Sequence, residues 1–219
     1  MPRGPREVEA DWPYHVILRG NNRRRLFSYP TDYKRFLWLL RDASRKIPCA
    51  IHSIGVLSNH AHLIVRPATA TAMSELIKST AQRYTQQRNR RRGASGKLFE
   101  ERFYSKRIED DDHFGCSQSY AETNPDRAGI RRPEYEWSTL ALFTGRASEV
   151  LKERFAEWVT PSSWYLDLGE TPAAREAAYR RWVRLTLEGK IAPAHVEEIT
   201  RLEQPPAGRI RRPNGSPAW

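Results

Sequence analysis

Apolar residues along this chain fall into two rhythms, one of strands and one of helices. Residues 12–19, WPYHVILR, gather β-favouring side chains and stop at Gly20-Asn21-Asn22, a turn signal, so a strand is predicted. Residues 31–46, TDYKRFLWLLRDASRK, set Phe36, Leu37, Leu40 and Ala43 at helical spacing behind Thr31 as N-cap, which predicts a helix ending before Pro48. Residues 49–57, CAIHSIGVL, alternate as a strand does. Ser58-Asn59 then forms a tight turn, and 60–66, HAHLIVR, is the return strand of a hairpin. A second helix over 71–92 carries Met73, Leu76, Ile77, Ala81 and Tyr84 on one stripe, and the glycines at 93 and 96 end it. LFEERFYSKRI (98–108) reads as extended, and Asp110 to Asp112 cap a third helix that runs to about Asn124, where Pro125 should stop it.

The order β, α, β, β, α, β followed by a helix is the split pattern of a ferredoxin-like α+β sandwich, an antiparallel sheet backed by helices. On this reading the main domain spans 12–132. Residues 133–203 form a C-terminal helical extension, with short amphipathic helices over 136–158 and 171–189 and with Tyr179, Trp182 and Val183 on one face of the second. The end, residues 204–219, is basic, Pro-rich and expected to be disordered. No internal repeat is present.

Composition narrows the class of protein. No window of 18 or more apolar residues exists, so no membrane span is expected, and MPRGPREVEADW lacks the apolar core of a secretory signal. Cys49 and Cys116 are far apart and belong to no CxxC pair, which argues for a reducing compartment and a cytoplasmic location. Charge is the loudest signal: 37 Lys and Arg stand against 26 acids, a net charge of +11. Thirty of those bases are Arg, whose planar fork pairs with phosphate and stacks on bases. Arg-rich codon usage could give the same excess, so distribution matters more than total. Asn21 to Arg25 (NNRRR) is one cluster, and Arg83 to Arg107 holds nine bases against Glu100 and Glu101. Both clusters fall at turns or helix ends beside the histidine strand, which favours a polyanion partner.

The candidate chemistry begins at LSNHAHLIV (57–65). His60 and His62 alternate on a strand, so they share a face while Ala61 takes the other. Two imidazoles on one face can chelate a divalent cation, or they can be two polar residues at the mouth of a hairpin. No HExxH occurs, so a zinc protease is not indicated. Two His ligands with a side-chain oxygen and open positions suit phosphodiester oxygens. The nucleophile could be water, giving a hydrolytic nuclease, or a tyrosine, giving a covalent intermediate that keeps the bond energy. Tyr120, in SQSYAETNP, lies on the helix after the sheet with Asn124 one turn on, so both could reach one phosphate.

Five blocks in order carry a resemblance: YHVILRGNNRR (14–24), VLSNHAHLIV (56–65), GASGKLFEERFYSKRI (93–108), SYAETNPDRAGI (119–130) and YEWST (135–139). Together, over about residues 12–145, they resemble the single-tyrosine HUH transposases of the insertion-sequence-200-like group, and within them the REP-associated tyrosine transposases. The resemblance implies a ferredoxin-like domain acting on single-stranded DNA beside a hairpin such as a REP-like palindrome. By the same resemblance His60 and His62 are metal ligands, Asn124 is an amide-type third ligand, and Tyr120 is the nucleophile. The metal would be Mg²⁺ or Mn²⁺, and the products a 5′-phosphotyrosine and a free 3′-OH. Monomers and homodimers both occur among such proteins.

Physical chemistry agrees with that implication. A free phenol titrates near ~10, so attack at neutral pH needs a cation close by. The candidate DNA contacts are Arg19, Asn21, Arg23, Arg24, Arg25, Arg83, Arg90, Arg91, Arg92, Lys97, Arg102 and Lys106, gripping stem and flanking strand through phosphates. Phe99, Phe103 and Tyr104 are candidates either for base stacking or, for at least two of them, for the sheet core. Three features depart from the family pattern: Ala61 is small, HFGCSQS before Tyr120 is unusually polar, and Asp126 replaces an aliphatic. Gly115 should weaken its helix by roughly 1 kcal/mol, as expected of a mobile nucleophile helix or of an inactive copy. Two rival readings share much of this: a hairpin-binding protein that does not cut, and a replication initiator. The second is disfavoured by the lack of any GxxxxGK[ST].

Overall fold

Strand β1, Tyr14–Arg19, is an interior strand of the sheet, with Val16 and Leu18 facing the main core. The computed structural model describes residues 7–100, 102–130 and 135–191. After β1 come helix α1 (Pro30–Ser44), strands β2 (Cys49–Val56) and β3 (His60–Pro67), helix α2 (Ala72–Arg92), strand β4 (Tyr104–Arg107) and helix α3 (Asp111–Arg127). The strands form one sheet in the order β2-β3-β1-β4, and every neighbouring pair is antiparallel. This is the expected ferredoxin-like α+β arrangement: α1 joins β1 to β2 across β3, and α2 joins β3 to β4 across β1.

Register assigns the faces. Ile17 pairs with His62 and Tyr104, Arg19 with His60, and His15 with Ile64 and Lys106, so these residues share one side of the sheet. Tyr14, Val16, Leu18, Ala61, Leu63 and Val65 take the other side and are buried with the stripes of α1 and α2. That stripe is the one read from the sequence: Phe36, Leu37, Leu40 and Ala43 meet Met73, Leu76, Ile77 and Tyr84. Helix α3 covers the first face.

Three element boundaries differ from expectation. Helix α1 starts at Pro30, whose fixed φ suits the first helical position, and Thr31 is inside the helix. Its capping carboxylate is Asp32, whose Oδ2 accepts the amides of Ser28 at 3.0 Å and Tyr29 at 3.3 Å. Strand β4 occupies only four of the residues in 98–108. Helix α3 runs through Pro125 to Arg127. Proline there removes the amide that would bond the Ala121 carbonyl, and that carbonyl meets the sheet instead: a Cβ on Gly55 would lie 1.8 Å from Ala121 O.

Among the described residues the C-terminal extension has four helices, α4 (Leu140–Phe143), α5 (Glu149–Phe155), α6 (Ser163–Asp167) and α7 (Pro172–Leu187). The stretch 171–189 forms α7 as expected, 136–158 holds α4 and α5 with a break between them, and α6, at five residues, is too short to show a period in sequence. The extension closes the β2 edge of the sheet, where Trp137 O accepts Val56 N, Ile54 O accepts Thr139 N and Ile51 O accepts Thr160 N. Residues 204–219, expected to be disordered, lie outside the described residues. No helix among the described residues is long and apolar enough to cross a membrane.

Candidate active site

His60 and His62 project from β3 toward α3, with ring centroids 4.9 Å apart. Tyr120 comes down from α3 with its ring 5.6 Å from His62, and Asn124, one turn on, brings Oδ1 to 3.1 Å from His60 Nε2. The four residues named from sequence are thus brought together within a single chain. His62 and Tyr120 are buried, and His60 is half-buried at the rim with Arg19, Tyr104 and Lys106. Tyr104 packs with Ile17 and Tyr120 under this rim, whereas Phe99 and Phe103 pack against the main core.

Hydrogen bonding constrains the imidazoles. His60 Nδ1 lies 2.7 Å from Asn59 Oδ1, and an amide oxygen only accepts, so this nitrogen is the N–H donor. Its Nε2 faces a second amide oxygen, that of Asn124. His60, His62 and Asn124 could together hold a divalent cation, which would neutralise charge on a bound phosphodiester. Among the described residues no group of three His, Cys, Asp or Glu could hold a metal.

Two neighbours escaped the sequence reading. His15 Nε2 is 2.9 Å from His62 Nδ1, so any ligation by His62 goes through Nε2, with His15 fixing its ring. The signal was parity: once β1 lies beside β3, His15 falls on the face of His62. Arg127 places its guanidinium carbon 5.1 Å from the Tyr120 ring centroid and donates to Thr186 O at 3.4 Å. It supplies positive charge beside the phenol without a change of conformation.

Behind Tyr120 and Asn124, on the far side of α3, Glu122 is buried. Burial pushes its carboxyl up to about 7 even though Tyr179 and Thr139 hydroxyls donate to it, at 2.6 and 2.7 Å. Gly115, expected to loosen α3, instead makes room for two indoles: a Cβ there would lie 2.3 Å from Trp164 and 2.8 Å from Trp182.

The candidate DNA contacts fall into three groups. Arg19 lies on the histidine face, bonded to Glu100 at 2.8 Å, and Lys106 shares that face on β4. Asn21, Arg23, Arg24 and Arg25 follow in a tight turn at the His60 end of the sheet, where Leu26 N and Phe27 N donate to Ser58 O. Arg88 of α2 donates to Arg25 O, which brings the helix end carrying exposed Arg90, Arg91 and Arg92 to the same region. Arg91 and Arg92 also bond Asp32, and Arg83 bonds Asp42 at 2.7 Å, so these three also tie α1 to α2. Lys97 and Arg102 are exposed on the segment before β4.

The chain is similar to known proteins in sequence and in fold. Among solved structures the chain matches a REP-associated tyrosine transposase bound to a REP hairpin, at 18% identity and TM-score 0.56, covering 67% of this chain and 87% of that one. A transposase-like protein of Deinococcus radiodurans R1 matches at 14% identity and TM-score 0.39, covering 60% of this chain and 98% of that one. No curated protein matches. Residues 10–124, more than half of the chain and the stretch that holds every residue of the His–Tyr–Asn cluster, match the family model described as transposase IS200-like. The chain belongs to the IS200-like transposase family.

Proposed function

We propose that this chain cleaves and rejoins single-stranded DNA beside a hairpin, with Tyr120 as nucleophile and His60, His62 and Asn124 as the ligand set for Mg²⁺ or Mn²⁺. The observation that carries the reading is the convergence of Tyr120, His62, His60 and Asn124 from two elements onto one point of the sheet. A divalent ion held there supplies charge neutralisation to a phosphodiester. The chain's own residues do the rest. Tyr120 Oη forms a bond to phosphorus as the bond from phosphorus to the 3′-oxygen breaks. The phenol gives up its proton and the leaving 3′-oxygen takes one, so the products are a 5′-phosphotyrosine and a 3′-hydroxyl. Attack by another 3′-hydroxyl reverses the step and joins a new strand, with no nucleotide hydrolysed. Arg127, stacked on the Tyr120 ring, favours the negative charge that the phenol oxygen develops.

DNA would be held at the His60 end by Arg19, Arg23, Arg24, Arg25, Arg90, Arg91, Arg92, Lys97 and Arg102 with the Asn21 amide, and by Lys106 farther along the histidine face and Arg83 farther along α2. The solved relative bound to a REP hairpin is the reason for naming a REP-like hairpin as substrate. The test is a denaturing gel of labelled single-stranded hairpin DNA incubated with the protein and Mg²⁺ or Mn²⁺. A covalent adduct lost in Tyr120→Phe is the expected result; a native complex without an adduct would favour a hairpin-binding protein that does not cut.

A further inference from the structure

Helix α3 is buried through polar side chains. Ser117, Gln118, Ser119, Glu122 and Thr123 are all within 1% of full burial. Where two helices need only adhere, apolar side chains do it at lower cost, because a buried carboxylate must recover its lost hydration from hydrogen bonds. Hydrogen bonds add direction: they fix rotation and slide between elements, which apolar contacts tolerate. The bonds that leave α3 here run mostly to the C-terminal extension. Glu122 Oε2 accepts the Tyr179 hydroxyl of α7 at 2.6 Å, and Oε1 accepts Thr139 at 2.7 Å and, within the helix, the Gln118 amide at 3.4 Å. The Glu122 carbonyl accepts Ser138 at 2.9 Å, and Ser119 Oγ lies 2.6 Å from Thr186 Oγ1 of α7.

Position in the helix gives the arrangement its meaning. Glu122 is two residues from Tyr120 and two from Asn124, so about 200° of helical rotation separates it from each. The side of α3 facing the histidines and the side held by α7 are therefore back to back. A slide or rotation at Glu122 is transmitted undiminished to both site residues.

We propose that Glu122, gripped by Tyr179 and Thr139 of the C-terminal extension, is a positioning residue that sets Tyr120 and Asn124 against His62 and His60. The proposal rests on the reading of Tyr120 and Asn124 as site residues. It makes α7 a working part of the cleavage apparatus, which no assignment of roles within residues 10–124 includes.

The experiment uses the full chain with Glu122→Gln, Glu122→Leu and Tyr179→Phe. Amide exchange of the peptide spanning 116–124 is followed by mass spectrometry, alongside single-turnover adduct formation on a saturating hairpin oligonucleotide with Mn²⁺. Glu122→Leu should exchange about 10-fold faster in that peptide with the β1 and β3 peptides unchanged. Its adduct rate should fall by roughly 10- to 100-fold while the hairpin Kd stays within about 2-fold. Tyr179→Phe should shift both in the same direction by less, and it carries the test if the Leu variant does not fold. Glu122→Gln keeps an acceptor for Thr139 and a polar partner for Tyr179, and should restore both readouts to within about 3-fold. Wild-type exchange and rate in folded Glu122→Leu would overturn the proposal, as would a loss of hairpin affinity that matches the loss of rate. Faster exchange in the variants of a chain whose wild type forms no adduct would support the clamp and overturn the strand-cleavage reading.

Discussion

Substituting Gly55 by Ala adds one methyl group where β2 lies close against the backbone of α3. The new Cβ would lie 1.8 Å from Ala121 O and 2.9 Å from Ala121 C, both backbone atoms that no rotamer change can move. Real carbon–oxygen contacts begin near 3.0 Å, so α3 must retreat from β2 by about 1.2 Å. Gly55 is paired with His62 on the same face, and Ala121 follows Tyr120, so the retreat opens the space between Tyr120 and the histidines directly. Overpacking of this kind costs about 1–3 kcal/mol, which for a chain of this length lowers Tm by roughly 2–12 °C. A misplacement near 1 Å costs on the order of 100-fold in rate. Thermal melting and single-turnover adduct formation at a temperature where the variant is folded measure the two effects separately. A Gly55→Ala chain that melts and cleaves like wild type would refute the reasoning, since it would mean that α3 does not rest on Gly55.

Two further substitutions test other parts of the account. Asp32 is buried, which alone would raise its carboxyl, but the amides of Ser28 and Tyr29 together with Arg91 and Arg92 outweigh that and hold it below the usual carboxylate range. A depressed folded value gives stability above the unfolded pKa that is lost as pH falls through the folded one. Asp32→Asn should therefore be about 1–3 kcal/mol less stable than wild type at pH 7, with the difference shrinking below about pH 4 in urea titrations; a pH-independent difference would contradict this. His15→Ala should weaken Mn²⁺ binding by about 10- to 100-fold in calorimetry, because His62 loses the partner that orients its ring; unchanged affinity would remove His15 from the site.

Much of this was legible in the sequence because periodicity and burial coincide. The stripe of α1 and the helical run to Gly93 each have one buried face, and β2 and β3 formed where their apolar runs lay although both of their faces are buried. Spacing put His60 and His62 on one face of a strand and Tyr120 and Asn124 on one face of a helix, whereas the roles proposed for them came from the resemblance. His15 was not, because its role depends on which strand lies beside β3, a fact of register rather than of local pattern. Glu122 was hidden for the opposite reason: a lone acid in a polar helix reads as solvent-facing, and only α7 makes it buried. Pro125 read as a stop because proline usually ends a helix. Here the amide it lacks frees the carbonyl that the sheet approaches, so the helix continues past it.

The central claim is that Tyr120 attacks a phosphodiester with the help of an ion held by His60, His62 and Asn124. Its most direct test is the denaturing gel with labelled hairpin DNA from the region flanking the gene, run with Mg²⁺, with Mn²⁺ and with chelator. The account predicts a protein–DNA adduct that needs the metal and disappears in both Tyr120→Phe and His62→Ala, while native binding of the hairpin persists. An adduct that survives Tyr120→Phe, or hairpin binding with no adduct under either metal, would contradict it.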